Sequence, residues 1–135
     1  VQAILAQATC GRGLGFPPFG TMSSITLCNA SNFAVQLEEC GDKVVIVEFV
    51  AKWCMPCEDI APQFAALADS ETEVACLQVD VDESPALADR YQVNAMPCFV
   101  FLKNKGKAAE DVIGANIDKV KEKISEILES GGAQN

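Results

Sequence analysis

Two cysteines, Cys54 and Cys57, enclose Met55 and Pro56 and follow the chain's single tryptophan, Trp53. A Cys-x-x-Cys pair serves as half of a zinc site, as a structural disulfide or as a redox dithiol. Zinc takes four ligands, usually from a second such pair or from histidines. This chain has no His and no second Cys-x-x-Cys. Sharing a zinc ion or iron–sulfur cluster between two chains remains a weak alternative. A structural disulfide has little to hold together at the opening of a helix between packed elements. Redox chemistry has a positive argument. The reactive species is the thiolate, and an ordinary thiol with a pKa of about 8.5 is only a small fraction thiolate near neutrality. A sulfur at a helix N-cap sits where unpaired N–H groups and the positive end of the helix dipole converge. Pro56 has no N–H, so the donor facing the Cys54 sulfur is expected to be the Cys57 amide. That arrangement lowers the Cys54 pKa and is expected to leave Cys57 the more buried and less acidic thiol. Cys54 then attacks a substrate disulfide and Cys57 resolves the mixed disulfide. Pro56 stiffens the first turn, and Trp53 can shield one flank of the sulfurs.

Two further positions bear on this chemistry. Glu48 interrupts the otherwise apolar run VVIVEFV. Burial raises a carboxyl pKa, so Glu48 becomes a candidate proton acceptor and donor for Cys57. If the strand end is wet, Glu48 is merely solvated. Pro97 follows Met96 just before an apolar run, and Pro is tolerated only at the start of such a strand. A cis Met96–Pro97 bond would set the Met96 backbone beside the dithiol, ready to pair with an extended substrate; from sequence alone cis is the minority state.

These residues need elements to hold them. Ser24 to Cys28 reads as a short strand. Ser31 is a plausible N-cap for a helix carrying Phe33, Leu37 and Cys40 and closed by Gly41. Val44 to Val50 reads as a strand buried on both faces. A helix follows from about Cys54 to Ala68, kinked at Pro62. Val74 to Val79 is a strand, and Ser84-Pro85 opens a short helix to Arg90. Cys98 to Leu102 is a strand, and Ala108 to Ile113 returns antiparallel after a turn at Asn104 to Gly106. Asn116 can cap a last helix with Ile117, Val120, Ile124, Ile127 and Leu128 on its buried face, ending before Gly131. The order βαβαβαββα implies an α/β fold, with helical crossovers between parallel strands and antiparallel edges from the last hairpin.

A length of 135 residues accommodates one domain. Residues 22–130 are expected to form it. Residues 1–21, rich in Gly and Pro, read as a poorly ordered extension (a tag, a presequence remnant or a native tail), and 131–135 as a flexible tail. The lack of His excludes imidazole catalysis. A net charge of −9 argues against nucleic acid or an anionic membrane as partner. No apolar run approaches the ~20 residues of a membrane span. Between residues 42 and 99 acids far outnumber the bases Lys43, Lys52 and Arg90, a solvated surface that also favours partners with basic rims. Seven cysteines, an odd number, fit a reducing compartment better than a fully paired secreted framework.

The runs GDKVVIVEFVAKWCMPC, LQVDVDE, VNAMPCFVFLKNKGK and IGAN occur in this order between Gly41 and Asn116. On them the chain resembles the thioredoxin family, the animal-type thioredoxins in particular, over about Ile25 to Leu128. The resemblance implies the thioredoxin fold, a central mixed sheet flanked by helices. It implies a monomeric protein-disulfide reductase with no bound cofactor, whose redox centre is the Cys54–Cys57 disulfide. Its implied partners are an NADPH-dependent thioredoxin reductase and disulfide-bearing targets such as peroxiredoxins. The implied location is cytoplasmic, or secreted if residues 1–21 are a presequence remnant. Cys54 matches the attacking thiol and Cys57 the resolving thiol. Trp53 matches the motif tryptophan, Pro62 the helix-kink proline, Pro97 the cis-proline and Gly114 the glycine near the substrate groove. Met55, Pro56 and Met96 fall on the face that meets substrate.

Four positions depart from the family pattern. Met55 stands where Gly is usual, Glu58 where Lys is usual, Glu48 where Asp is usual and Cys98 where Thr is usual. Glu58 sets a negative charge beside the thiols and should weaken thiolate stabilisation at Cys54. Met55 and Glu58 also leave room for a second reading, a thioredoxin-fold binding or holdase module with vestigial redox activity. Cys28, Cys40 and Cys76 read as small buried hydrophobes. Cys98 is a minor candidate for modification or an alternative bridge, and Cys10 falls in the extension.

Overall fold

The computed structural model describes residues 24–130. Cys10 and the expected extension and tail lie outside them. Strands β1 (Ile25–Cys28), β2 (Val44–Val50) and β3 (Val74–Asp80) alternate with helices α1 (Phe33–Cys40), α2 (Met55–Ser70) and α3 (Pro85–Arg90). Strands β4 (Cys98–Lys103), β5 (Gly106–Lys107) and β6 (Val112–Ile113) and helix α4 (Ile117–Glu129) complete the chain. The sheet order is β1-β3-β2-β4-β5, with β6 also on β4. β1, β3 and β2 are parallel; β4 runs antiparallel to β2, and β5 and β6 antiparallel to β4.

β2 and β3 form the centre because their residues are apolar on both faces. Val45, Val47 and Phe49 face α1 and α3, where Phe33 and Leu37 meet them. Val44 and Ile46 face α2 and α4, against Ile60, Phe64, Val120 and Ile124. Phe64 packs edge-on against Phe99 of β4 with ring centres 5.2 Å apart. Asn116 caps α4, its side chain accepting from Lys119 N at 3.1 Å.

The mixed sheet is as expected: Cys98 pairs with Phe49, so β4 starts at the end where β3 finishes and runs antiparallel to β2. Several local expectations are corrected. The return strand is split into β5 and β6: Ala108 N still donates to the Phe101 carbonyl at 2.8 Å, but the register then shifts, so that four residues, 108–111, stand opposite Val100 and Phe101. The α1 cap is Asn32 rather than Ser31. The turn before it is closed by Asn29, whose side chain accepts from Ser31 N at 2.8 Å and Asn32 N at 3.1 Å. Pro62 lies inside α2, as expected, on the helix's exposed side. There the missing N–H leaves a carbonyl to water rather than to the core.

Ser84 precedes α3 but makes no side-chain cap bond. Its hydroxyl is buried at 1% exposure and accepts from Ala30 N at 3.2 Å, tying the end of β1 to the start of α3. Ser84→Ala strands that N–H. It is expected to lower unfolding free energy by about 1–2 kcal/mol in urea titration, with the active-site chemistry unchanged.

Candidate active site

The C-terminal end of β2 delivers the chain into the Cys-x-x-Cys turn. Ala51 is buried, and its carbonyl accepts from Cys54 N at 3.1 Å. Cys54 is the N-cap of α2, with extended dihedrals (φ −94°, ψ 107°), and Met55 and Pro56 open the helix. A proline there costs nothing, since the first N–H groups of a helix have no partner inside it. Cys57 N donates to the Cys54 Sγ at 3.1 Å, the donor anticipated from sequence. Cys54 and Cys57 are joined in a disulfide with Cα atoms 5.3 Å apart.

Burial does not distinguish the two sulfurs as expected. Cys54 is 4% exposed and Cys57 6%. Both form a small cluster with Ala51, against which Val50, Val81 and Met96 pack. What distinguishes them is the backbone N–H aimed at Cys54. Around this buried pair stand exposed apolar side chains: Trp53 at 66%, Met55 at 65% and Ile113 at 64%. Trp53 Nε1 donates to Asp82 Oδ2 at 2.9 Å. Asp82 in turn sits in a turn ordered by Asp80, whose Oδ1 accepts from Asp82 N at 2.8 Å.

The Met96–Pro97 peptide is cis. Pro97 is buried and Met96 half-buried. The Pro97 carbonyl accepts from Gly114 N at 2.8 Å, so the β6 turn holds the proline segment in place. Gly114 has φ +105°, a conformation that side chains resist, which accounts for glycine there. Cys98, next in line, is 2% exposed and belongs to the cluster on the α1 and α3 side of the sheet. Burial pushes its thiol up to about 11.

Glu48 lies inside β2 and is 1% exposed, so the wet-strand-end alternative fails. Alternation places it on the face shared with Val44 and Ile46, between the sheet and α2. Burial raises its carboxyl from 4.5 to about 7, opposed by a hydrogen bond from Gln78. Gln78 Nε2 donates to Glu48 Oε1 at 2.9 Å, while Oε2 has no hydrogen-bond partner among the described residues. Glu58 is exposed in the first turn of α2, where its charge favours the helix and disfavours a thiolate at the same tip.

Gln78 and Asp82 were not singled out from sequence. Gln78 is the single polar residue before the terminal Asp80 in VACLQVD, and that oddity was its signal. Asp82 was hidden within a run of acids. Among the described residues no group of three or more His, Cys, Asp or Glu could hold a metal ion. Nor does any described helix have the length and apolarity to cross a membrane.

Comparison with known proteins places this geometry. The Thioredoxin family model matches residues 24–128. A thioredoxin from Gallus gallus is 38% identical over 100 residues, covering 74% of this chain and 94% of that protein. One from Oryctolagus cuniculus is 41% identical over 98 residues, covering 73% and 92%. The crystal structure of Fasciola hepatica thioredoxin superposes with a TM-score of 0.71 at 36% identity, covering 75% of this chain and 97% of that one. The sheet and its helices are thus a thioredoxin fold, with a disulfide at the tip of α2 in the WCxxC position. The chain belongs to the thioredoxin family and is a thiol–disulfide oxidoreductase of the protein-disulfide reductase kind.

Proposed function

We propose that Cys54 is the attacking thiol and Cys57 the resolving thiol in the reduction of disulfides on other proteins. The observation that carries this assignment is the Cys57 N–H on the Cys54 sulfur at the N-cap of α2. In the reduced protein a thiolate at Cys54 keeps that donor and the helix dipole, so its pKa falls. The Cys54 sulfur bonds to one substrate sulfur, and the other leaves as a thiolate that takes up a proton. Cys57 then gives its proton to Glu48 and attacks the Cys54 sulfur. The mixed disulfide breaks, and the second substrate sulfur leaves and is protonated. Two electrons have moved: the substrate cystine is now a dithiol and the Cys54–Cys57 disulfide is restored.

Met55, Trp53, Pro56, Met96, Pro97 and Gly114 form the docking face. Their apolar surface surrounds a buried disulfide, so a target must press against it to bring its own sulfurs within reach. The acids Glu58, Asp80, Asp82 and Glu83 beside this face suit targets with basic rims. Electrons come from NADPH through a thioredoxin reductase, and peroxiredoxins are suitable recipients. The protein acts as a monomer in electron transport and in the upkeep of thiol balance. A reducing compartment such as the cytoplasm is favoured by the thiols of Cys28, Cys76 and Cys98, which stand outside any disulfide.

Cys54→Ser is expected to abolish NADPH-coupled reduction of insulin disulfides in the presence of a thioredoxin reductase. Cys57→Ser should instead accumulate a mixed disulfide visible on non-reducing gels. Turnover by the Cys54 variant at the parent rate would reject the assignment.

Glu48 also governs stability. Its folded pKa, about 7, lies above the ordinary 4.5, so the folded protein holds the proton that the unfolded chain releases. The stability this provides is complete below pH 4.5 and lost as pH rises through 7. The rise corresponds to on the order of 3 kcal/mol. Glu48→Gln is expected to flatten the fall in melting temperature over that window and to gain most at pH 8. Parallel melting curves for the two proteins across pH 4–8 would contradict this.

A further inference from the structure

The parallel register of β2 and β3 sets Gln78 directly beside Glu48, a pairing that spans 30 residues of sequence. Gln78 is half-buried. It also lines an open cleft of about 270 Å3 at the C-terminal ends of β1, β2 and β3, together with Lys52, Asp80 and Glu83. It is therefore the residue that links the buried carboxyl to the solvent side of the sheet. Its Nε2 holds Oε1 of Glu48, and Oε2 has no partner among the described residues.

We infer that Gln78 is a positioning residue for Glu48: its amide fixes Oε1 as the accepting oxygen and leaves Oε2 as the oxygen that takes up and returns the Cys57 proton. This rests on the role given to Glu48 above. With Nε2 donating to Oε1, the acid form carries its proton on Oε2 and the ionised form keeps one donor. A primary amide is neutral, so it supports the ionised form without pinning it there. A cation at this position would hold Glu48 ionised and unable to return a proton. An apolar side chain would leave the carboxylate with no donor and hold it protonated. The amide suits a group that must cycle between both states.

The surroundings leave few competing causes for a change in titration. β3 brings Cys76 to this face, whose own thiol is pushed up to about 12 by burial and by Glu48. α2 brings Cys57. β4 and α4 contribute Phe99, Phe101, Val120 and Ile124, none of which titrates. The cleft adds Lys52, Asp80 and Glu83, and Lys52 is paired to Glu83 at 3.4 Å.

The test uses the reduced 135-residue chain and three variants: Gln78→Met, Gln78→Lys and Glu48→Gln. The Glu48 carboxyl is titrated by infrared difference spectroscopy. The pH profile of the resolving step is measured in single turnover, with Cys54 alkylation as the control for the attacking step. In Gln78→Met the carboxyl titration and the resolving profile should both move up by about one pH unit or more, with the charged form having lost its donor. In Gln78→Lys both should move down. Cys54 alkylation should change less than twofold in either. A merely structural role for Gln78 would not shift the titration in opposite directions. No shift in Gln78→Met, or shifts of the same sign in both variants, overturns the inference. The Met variant alone decides if the Lys variant does not fold. Glu48→Gln separates the two levels: a resolving profile unchanged in that variant removes Glu48 as acceptor, whatever Gln78 does.

Discussion

The N–H of Cys57, pointed at the sulfur of Cys54, is the contact around which the rest of the structure is arranged. A helix begins with N–H groups that have no partner of their own, and here a sulfur receives one of them. The remaining features follow from putting that sulfur in place. β2 must be buried deeply enough to end rigidly at Ala51, whose carbonyl fixes Cys54. Pro56 must sit where a missing N–H is harmless and a fixed φ is useful. Met96 and the segment held by Gly114 must close the other side of the sulfurs.

The same burial that fixes β2 creates the second requirement. A strand covered on both faces has no wet position, so an acid placed in it is forced toward its neutral form. Glu48 is tolerated because Gln78 supplies one hydrogen bond from the neighbouring strand. The pair leaves the second carboxyl oxygen without a partner among the described residues, and an uncharged acid bears that more cheaply than a carboxylate. Scaffold and chemistry meet at this point: a core tight enough to hold the helix tip is also dry enough to bring a carboxyl near neutrality.

Much of this was legible in the sequence, for a physical reason. Strands such as Val44 to Val50 and Cys98 to Leu102 announce themselves because burial on both faces demands unbroken apolar residues. The Cys57 donor was legible because Pro56 removes the alternative one residue earlier. Contacts that depend on strand order were not. Gln78 meets Glu48, and Ser84 meets Ala30, only once β1, β3 and β2 lie side by side in register. Ser84 looked like a cap because caps are local, and a nonlocal backbone N–H took its hydroxyl instead. Asn29 likewise outdid Ser31 by satisfying two backbone groups from one side chain. The antiparallel course of β4 follows from where α3 leaves the chain, which periodicity does not encode.

Exposure alone does not select the reactive sulfur. Cys54 is 4% exposed, Cys76 3% and Cys98 2%. All three sit in dry surroundings, and for Cys76 and Cys98 the consequence is a thiol pushed up to about 12 and about 11. Cys28, at 8%, is raised to about 11 in the same way. Burial by itself therefore silences a thiol, because it penalises the charged form that does the chemistry. The surroundings of Cys54 differ from theirs: a backbone donor and the positive end of a helix of 16 residues face its sulfur. A low-dielectric setting strengthens those interactions as much as it penalises an unsupported charge. Cys28, Cys76 and Cys98 lie in strands rather than at a helix N-cap, so burial acts on them without that support.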